Sequence, residues 1–353
     1  MDLLVLNTDL EAVGLVDTFE SLIWTERYSQ CGDFEIYTAM SLDEFLLLQE
    51  DCYLWSRESD ATMIIESIEI ASDIEDGNRF IVTGRSLESI LARRIIWNQT
   101  ILTGNFQNGI KKLLYDNVIS PTDADRKIEN FIFEESIDPL ITELTIDAQF
   151  TCDNLYEAIS SLCSMNNIGF RVSLNDTNQF VFKLYAGKDR SYDQTEFPYV
   201  IFSPNFDNII TSNLIESKKT YKNVTLVAGE GEGQARKTVT VGSGTGLERR
   251  EMYTDARDIS TTAEDDRKLT SSEYNALLIQ RGDRDLAENY ITKTFEGQVD
   301  TTRSFVYGED FGMGDILQIE NEYGIESKSR VTEIVRSQDE NGIEVCPTFT
   351  IVE

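Results

Sequence analysis

The sequence contains no histidine in 353 residues. That absence removes Ser-His-Asp and Cys-His hydrolases, histidine-dependent zinc peptidases and imidazole proton shuttles. Any enzymatic reading must therefore rest on carboxylates, lysine or tyrosine. Five prolines and 21 glycines leave no room for a long flexible linker. No apolar run approaches the roughly 20 residues that a membrane helix needs. The opening Met1-Asp2-Leu3-Leu4-Val5-Leu6 lacks the basic region of a secretory signal and reads as a first strand. Cys31, Cys52, Cys152, Cys163 and Cys346 are odd in number and scattered, with no Cys-x-x-Cys pair. Zinc ribbons and thioredoxin-like centres are excluded, and buried free thiols in a reducing compartment are expected. Basic residues are also scarce, 31 against 63 acidic ones, for a net charge of −32. Nucleic-acid binders neutralise phosphates with Lys and Arg, so specific binding to DNA or RNA is disfavoured. Such acidity either keeps the protein dispersed or repels a polyanion moving past it; composition by itself favours dispersal.

Hydrophobic residues at 41% and aromatics at 10% mark a folded chain, long enough for two or three cores. The last fifty residues read as a β-meander. Asp315 to Glu320 is a short apolar run between Gly314 and the turn Glu322-Tyr323-Gly324. Ser329 to Arg336 carries Val331, Ile334 and Val335 and leads to Asp339-Glu340-Asn341-Gly342. Asn-Gly is the strongest short-range hairpin signal, because both residues tolerate positive φ. The returning strand sets Ile343, Val345, Phe349 and Ile351 on one face and Glu344, Thr348 and Thr350 on the other. The same plan fits Cys52 to Gly84, with Asp51 to Trp55 as the opening strand and Thr62 to Ser72 as the second. Glu75-Asp76-Gly77 forms the tip and Arg79 to Thr83 the return. With Gly77 laid on Gly342, Ser72, Glu75 and Thr83 fall on Ser337, Glu340 and Thr348. The pattern predicts an internal duplication.

The fold class expected is α+β, mainly β: two related tube-like β-barrel domains with inserted α+β and helical segments. Residues 1–97 form the first barrel. In it, Phe19 to Tyr28 pairs with Asp33 to Thr38. The capping box Ser41-Leu42-Asp43-Glu44 starts a helix with Leu42, Phe45 and Leu46 inward, and Leu87, Ile90 and Leu91 share a later helical face. Residues 98–200 form an α+β insert. There Phe106, Ile110, Leu113, Leu114 and Val118 have helical spacing, stopped by Ser120-Pro121. A second helix follows Asp153, a candidate N-cap, and Gly169 to Leu174 pairs with Gln179 to Tyr185. Residues 201–353 form the second barrel, with a charged loop and helix insert at about 247–296. The stretch from Leu247 to Leu269 reads as a solvated loop. The capping box Thr270-Ser271-Ser272-Glu273 opens a helix bearing Tyr274, Leu277 and Leu278 that resumes at Leu286 and Tyr290.

No motif carries chemistry. Gly229, Gly231 and Gly233, and then Gly242, Gly244 and Gly246, fit neither a P-loop nor a dinucleotide fingerprint; turns between strands explain them. Arg281-Gly282-Asp283 lies within a helical pattern. Adjacent carboxylates such as Asp265-Asp266 and Glu134-Glu135 are inevitable among so many acids, and each reads as solvated surface charge. No EF-hand spacing occurs; Asp73 to Asn78 is too short and lies in a hairpin. Trp24 and Trp55 fall in strand patterns where core packing explains them, whereas Trp97 stands at a boundary. No catalytic, cofactor-binding or metal-ligating residue is assigned, and no cofactor is expected.

Several segments in order resemble a known family. Ser21-Leu22-Ile23-Trp24 through Arg27-Tyr28 and Gly32-Asp33-Phe34-Glu35-Ile36-Tyr37 look like the opening of a siphophage tail protein. Gly84-Arg85-Ser86-Leu87 through Arg93-Arg94, Tyr221 to Val224 with Val227 to Gly233, Gly314-Asp315-Ile316 and Asn321 to Ile325 extend the likeness over most of the chain. The family resembled is the tail-tip (baseplate) hub, often the N-terminal part of tail-associated lysins, and similar to the hubs of contractile tails and type VI secretion spikes. The resemblance implies a structural, non-enzymatic homotrimer at the virion tail tip, assembled in the host cytoplasm. Its duplicated barrels would present six units to the hexameric tail tube around the DNA channel, with roles in DNA ejection and host attachment. Implied partners are the tail tube ring, the distal tail protein, the tape measure protein and receptor-binding or fibre proteins. Stopping at Glu353 is expected to leave no room for a lysin or fibre-binding extension. A tail-associated cell-wall glycosidase using paired carboxylates, and a carbohydrate-binding tail accessory module suggested by 14 Tyr and 3 Trp, are the alternative readings.

Overall fold

Strands of alternating burial dominate the molecule. In Asp33–Ala39, Phe34, Ile36 and Thr38 point inward and Glu35 and Ala39 outward, the period-2 signature of a half-buried strand. The computed structural model describes residues 1–73, 77–262, 267–296, 299, 304–340 and 342–352. It divides into two compact units: Met1–Ser89, Gly169–Leu214 and Thr294–Glu353 form the first, Ile90–Ile168 and Ile215–Lys293 the second.

The first unit is built on one continuous sheet around two separate cores. The N-terminal β-domain joins its strands in the order Ser21–Arg27, Asp33–Ala39, Gly77–Ser86, Met63–Asp73, Tyr53–Trp55, Leu3–Leu6, Ala12–Val16. Every pair is antiparallel. Leu3, Val5, Trp24, Ile36, Leu54, Phe80 and Val82 fill its core. The C-terminal β-domain runs Asn213–Ser217, Thr292–Glu296, Gly342–Ile351, Glu326–Asp339, Ile316–Glu320, and the short Ile201–Phe202 pairs in parallel with the last. Phe202, Phe295, Phe311, Leu317, Val331 and Phe349 form its core. Trp24 is fully buried as expected, but Trp55 is 40% exposed, because the single inward position of its three-residue strand is taken by Leu54.

The two β-domains repeat one plan in structure as well as in sequence. Each has a hairpin whose first strand carries a bulge, at Ile65/Ser67 in one and Val331/Glu333 in the other. Glu66 stands seven residues before Asp73, which closes its hairpin on Gly77; Thr332 stands seven before Asp339, which closes on Gly342. The ladder therefore equates Asp73 with Asp339 and Ile68 with Ile334. The alignment of Ser72 on Ser337 is one residue out on the ascending strand, since the first hairpin has the longer loop. Its tip residues Glu75 and Asp76, and Asn341 of the second, lie outside the described residues. On the return strands Thr83 matches Thr348, as the spacing from the glycines predicts, and the ladder sets Phe34-Glu35 against Phe295-Glu296.

In the second unit, Val224–Ala228 pairs with Thr238–Gly242 and, in parallel, with Glu251–Asp255. The charged stretch expected as a solvated loop thus contains a strand, held because Thr254 turns inward to meet the Thr225 hydroxyl at 2.8 Å. Helix Ser271–Glu288 starts with the expected capping box on Thr270 and Glu273 and runs through to Glu288 without a break. It packs on this sheet through Tyr274, Leu277 and Leu278. Helix Phe106–Leu114 buries Phe106, Ile110, Leu113 and Leu114 and continues as a π-helical turn, Tyr115–Ile119. Helix Leu155–Met165 is capped by Asn154, one residue beyond the expected Asp153, whose carboxylate accepts from the Thr151 N–H at 2.9 Å.

Candidate assembly interface

The two β-domains meet along a strand seam. Leu22 to Arg27 pairs antiparallel with Gln338 to Glu333, which continues one sheet into the other. The 14-residue strand Glu326–Asp339 serves both: residues before its bulge pair with Ile316–Glu320, those after it with Ser21–Arg27. Arg27 ties the seam laterally, donating from Nε to Glu333 at 2.7 Å and from Nη1 to Asp33 at 2.5 Å.

Beneath the seam lies a buried ionic cluster that sequence reasoning did not single out. Glu26, only 3% exposed, accepts from Ser59 Oγ at 2.8 Å, from Arg171 Nη2 at 3.1 Å and from Arg336 Nη1. Ser59 accepts in turn from Trp24 Nε1 at 2.9 Å, and Arg171 also donates to Asp60 at 2.8 Å. Arg171 lies over the Tyr185 ring at 5.6 Å and Arg336 over Tyr307 at 5.3 Å. Burial works against the charged form of Arg171, but Tyr185, Glu26, Glu88 and Asp60 outweigh it and hold its pKa above the usual arginine value. Burial likewise pushes the Tyr185 and Tyr307 hydroxyls upward, so both stay neutral. Removing one member of such a cluster strands a buried charge at a cost of about 3–5 kcal/mol. Glu26 and its arginines are 145 and 310 residues apart, which no local pattern could reveal.

Arg171 is delivered by the hairpin Gly169–Leu174 with Phe180–Tyr185, which forms where the sequence predicts. Gly169 lets it approach closely: a Cβ there would sit 2.4 Å from the Tyr28 ring and 2.6 Å from Tyr185. Gly314, at φ +87°, is required for the same reason, since its Cβ would fall 2.2 Å from Tyr28.

The outward surfaces of the first unit carry edge strands and exposed apolar side chains. Beyond its bulge, Ser67 to Asp73 pairs on one side only among the described residues, whereas the equivalent Glu333 to Asp339 has the seam strand on its second side. Ile70 on this open edge is 48% exposed. At the other end of the sheet, Asn213–Ser217 is also an edge strand, with Leu214 39% exposed. Leu42 and Leu46, expected to face inward, are 68% and 63% exposed. Helix Leu42–Leu47 has only six residues and docks instead through Phe45 on Phe80 and Leu47 on Gly14, which leaves the Leu42/Leu46 stripe outside.

Several of the residues weighed for chemistry have packing or ion-pair partners. A Cβ on Gly229 would meet the Tyr274 hydroxyl at 2.2 Å, so this glycine admits the helix to the sheet. Arg281 is 8% exposed and bound to Asp258 at 2.5 Å, with Gly282 packed on Val227 and Val241. Glu135 pairs with Lys111 at 2.5 Å, and Asp265-Asp266 lie outside the described residues. All five cysteines are free; Cys52 and Cys163 are buried as expected, but Cys152 is exposed, at φ +62° in the turn after Thr145–Phe150. Among the described residues no cluster of acids and thiols could hold a metal, and no helix is long and apolar enough to cross a membrane.

The sequence matches the family of Siphovirus ReqiPepy6 Gp37-like proteins over residues 2–349. The chain belongs to that family. Its fold is shared at low identity with solved tail proteins, two of them from prophages. A tail protein from Neisseria meningitidis MC58 is 12% identical with a TM-score of 0.58, over 99% of this chain and 95% of that one. The prophage MuSo2 43 kDa tail protein from Shewanella oneidensis is 11% identical with a TM-score of 0.57, over 99% and 98%. Prophage tail protein gp18 from Listeria monocytogenes EGD-e is 13% identical with a TM-score of 0.52, over 99% and 94%. No curated protein matches the chain. The expected tail-protein family and the mainly β fold with related domains are both found.

Proposed function

We propose that this chain is a tail-tip hub: a homotrimer in which each subunit supplies two β-barrel units, so that three subunits make a pseudo-sixfold ring continuing the hexameric tail tube. One observation carries the reading. The strand order Ser21–Arg27, Asp33–Ala39, Gly77–Ser86, Met63–Asp73, Tyr53–Trp55 is repeated by Asn213–Ser217, Thr292–Glu296, Gly342–Ile351, Glu326–Asp339, Ile316–Glu320. Within the chain, the second hairpin pairs with the first strand of the N-terminal set. The same contact repeated between copies places the open edge Ser67 to Asp73 against Asn213–Ser217 of the next subunit. A head-to-tail contact of this kind closes into a ring when its rotation permits. It also covers the exposed Ile70 and Leu214 and joins two strands that are edges of the sheet among the described residues.

The role is structural and non-enzymatic. The ring docks on the tail tube and on distal tail, tape measure and fibre proteins, and the DNA passes through its lumen during ejection. Ile70→Glu tests the contact. The parent protein is expected to sediment at about three times the 40.1 kDa of one chain, and the variant at the monomer mass with an unchanged circular dichroism spectrum. A monomeric parent, or a variant that still forms trimers, would exclude this ring.

A further inference from the structure

The strand Ala12–Val16 ends the sheet of the first unit. Leu3–Leu6 pairs with it on one side, and among the described residues no strand pairs with it on the other. Natural sheet edges are blunted with lysine, proline or a bulge, because a row of free N–H and C=O groups is a template for another chain. This strand contains neither lysine nor proline, and the bulge opposite it, at Val5/Leu6, lies at its turn end. Val13 and Leu15 are 50% and 54% exposed. Gly14 faces the other way, where Leu47 packs on it and seats helix Leu42–Leu47 beside the strand, with Leu42 and Leu46 turned outward. Apolar side chains therefore flank the open edge on both faces. The charge around it has one sign. Residues 1–56 hold 12 acidic residues and a single basic one, Arg27, which is bound to Asp33 and Glu333 at the seam. Glu11 and Asp17, at the two ends of the strand, are exposed and bond only the neutral Asn7 and Thr18 among the described residues.

We propose that this edge takes up an extended segment of a partner protein as an added strand, apolar in its centre and with Lys or Arg at both ends. Strand addition supplies main-chain hydrogen bonds whatever the sequence. Side chains that alternate along the added strand meet Leu42 and Leu46 on one face and Val13 and Leu15 on the other. Glu11 and Asp17 stand about 20 Å apart along an extended chain, which sets the basic ends of the partner segment about six or seven residues apart. A second copy of the same edge is disfavoured as the occupant, since it sets acid against acid. The strand takes no part in the ring contact, so the inference stands whether or not that ring forms.

The test uses the full chain and three blocked octapeptides of alternating valine and threonine. One has lysine at both ends, one has glutamate at both ends, and the third is the lysine form N-methylated between its ends, which removes donors without changing charge. Binding is followed by calorimetric titration and by hydrogen exchange with mass spectrometry. The lysine peptide is expected to bind saturably and to slow exchange across Ala12–Val16, with the other two at least about tenfold weaker. Leu46→Lys and Asp17→Lys, both at exposed positions, are each expected to weaken the lysine peptide at least about fivefold. No saturable binding of the lysine peptide overturns the proposal. So does equal binding of the glutamate or N-methylated form, protection that falls outside Ala12–Val16, or binding that both variants leave intact. Protection of that strand which grows with protein concentration and needs no peptide would mean that a second copy covers it, and overturns the proposal equally.

Discussion

Glu88 is a fully enclosed carboxyl whose Oε1 accepts from the Val172 N–H at 2.9 Å. Burial raises its pKa, against the opposing pull of Ser86, the Val172 N–H and the charge of Arg171. In the folded state it therefore keeps its proton at a pH where the unfolded chain, with its ordinary value of 4.5, has released it. The folded state binds the extra proton, so this group's contribution to stability falls as pH rises from about 4.5 through the folded value, with a slope of at most about 1.4 kcal/mol per pH unit. Glu88→Gln keeps the acceptor and removes the ionisation. Urea midpoints followed upward from about pH 5 are expected to decline for the parent relative to the variant; parallel curves would show that Glu88 does not titrate in this way. The Glu26 carboxylate is met by two guanidiniums and a hydroxyl, an arrangement that fixes the register of the seam through geometry.

At the scale of elements, short-range signals were dependable and facing was not. The capping boxes at Ser41 and Thr270 open helices where they are read, because the bonds from Ser41 and Thr270 to Glu44 and Glu273 are local. Which side of a helix meets the core depends on distant strands, so Leu42 and Leu46 were misplaced. The long helix is a different case: the side of Ser271–Glu288 that meets its sheet includes Gly282, where a Cβ would lie 2.7 Å from Val227 and 2.8 Å from Val241. Gly282→Val is expected to lift the helix and cost about 3 kcal/mol or more. A single denaturation midpoint unchanged from the parent would contradict that packing account. The paired bulges at Glu66 and Thr332 were invisible in sequence, since a bulge is defined by the partner strand and not by the residue that bulges.

For the whole molecule, charge opposes assembly. In the proposed ring each subunit would bring a net −32 to contacts made by strand edges and a few apolar side chains. Repulsion between like-charged subunits is screened as the Debye length shortens from about 10 Å at 0.1 M salt to 3 Å at 1 M. Self-association is therefore expected to tighten with added sodium chloride, measured by sedimentation equilibrium at low and high salt. Weakening with salt would mean that ion pairs, and not strand addition, join the subunits. In this reading, acids lining the lumen let DNA slide without sticking, whereas acids facing outward only keep the ring dispersed.

By itself the sequence determined the chemistry that is unavailable and the local grammar. Without histidine, imidazole chemistry is impossible; alternation made strands, capping boxes made helices, and the two glycine-closed hairpins announced a repeat. Only the tertiary structure decided that residues 22–27 and 333–338 share a ladder, that among the described residues one edge of the repeat is closed within the chain and the other left open, and that Glu26, Arg171 and Arg336 meet in one buried cluster. The difference is physical. Turn and cap bonds are made between residues a few positions apart, and so can be read from spacing. Strand addition and side-chain burial depend on which distant segments finally meet, and that is settled only when both cores have formed.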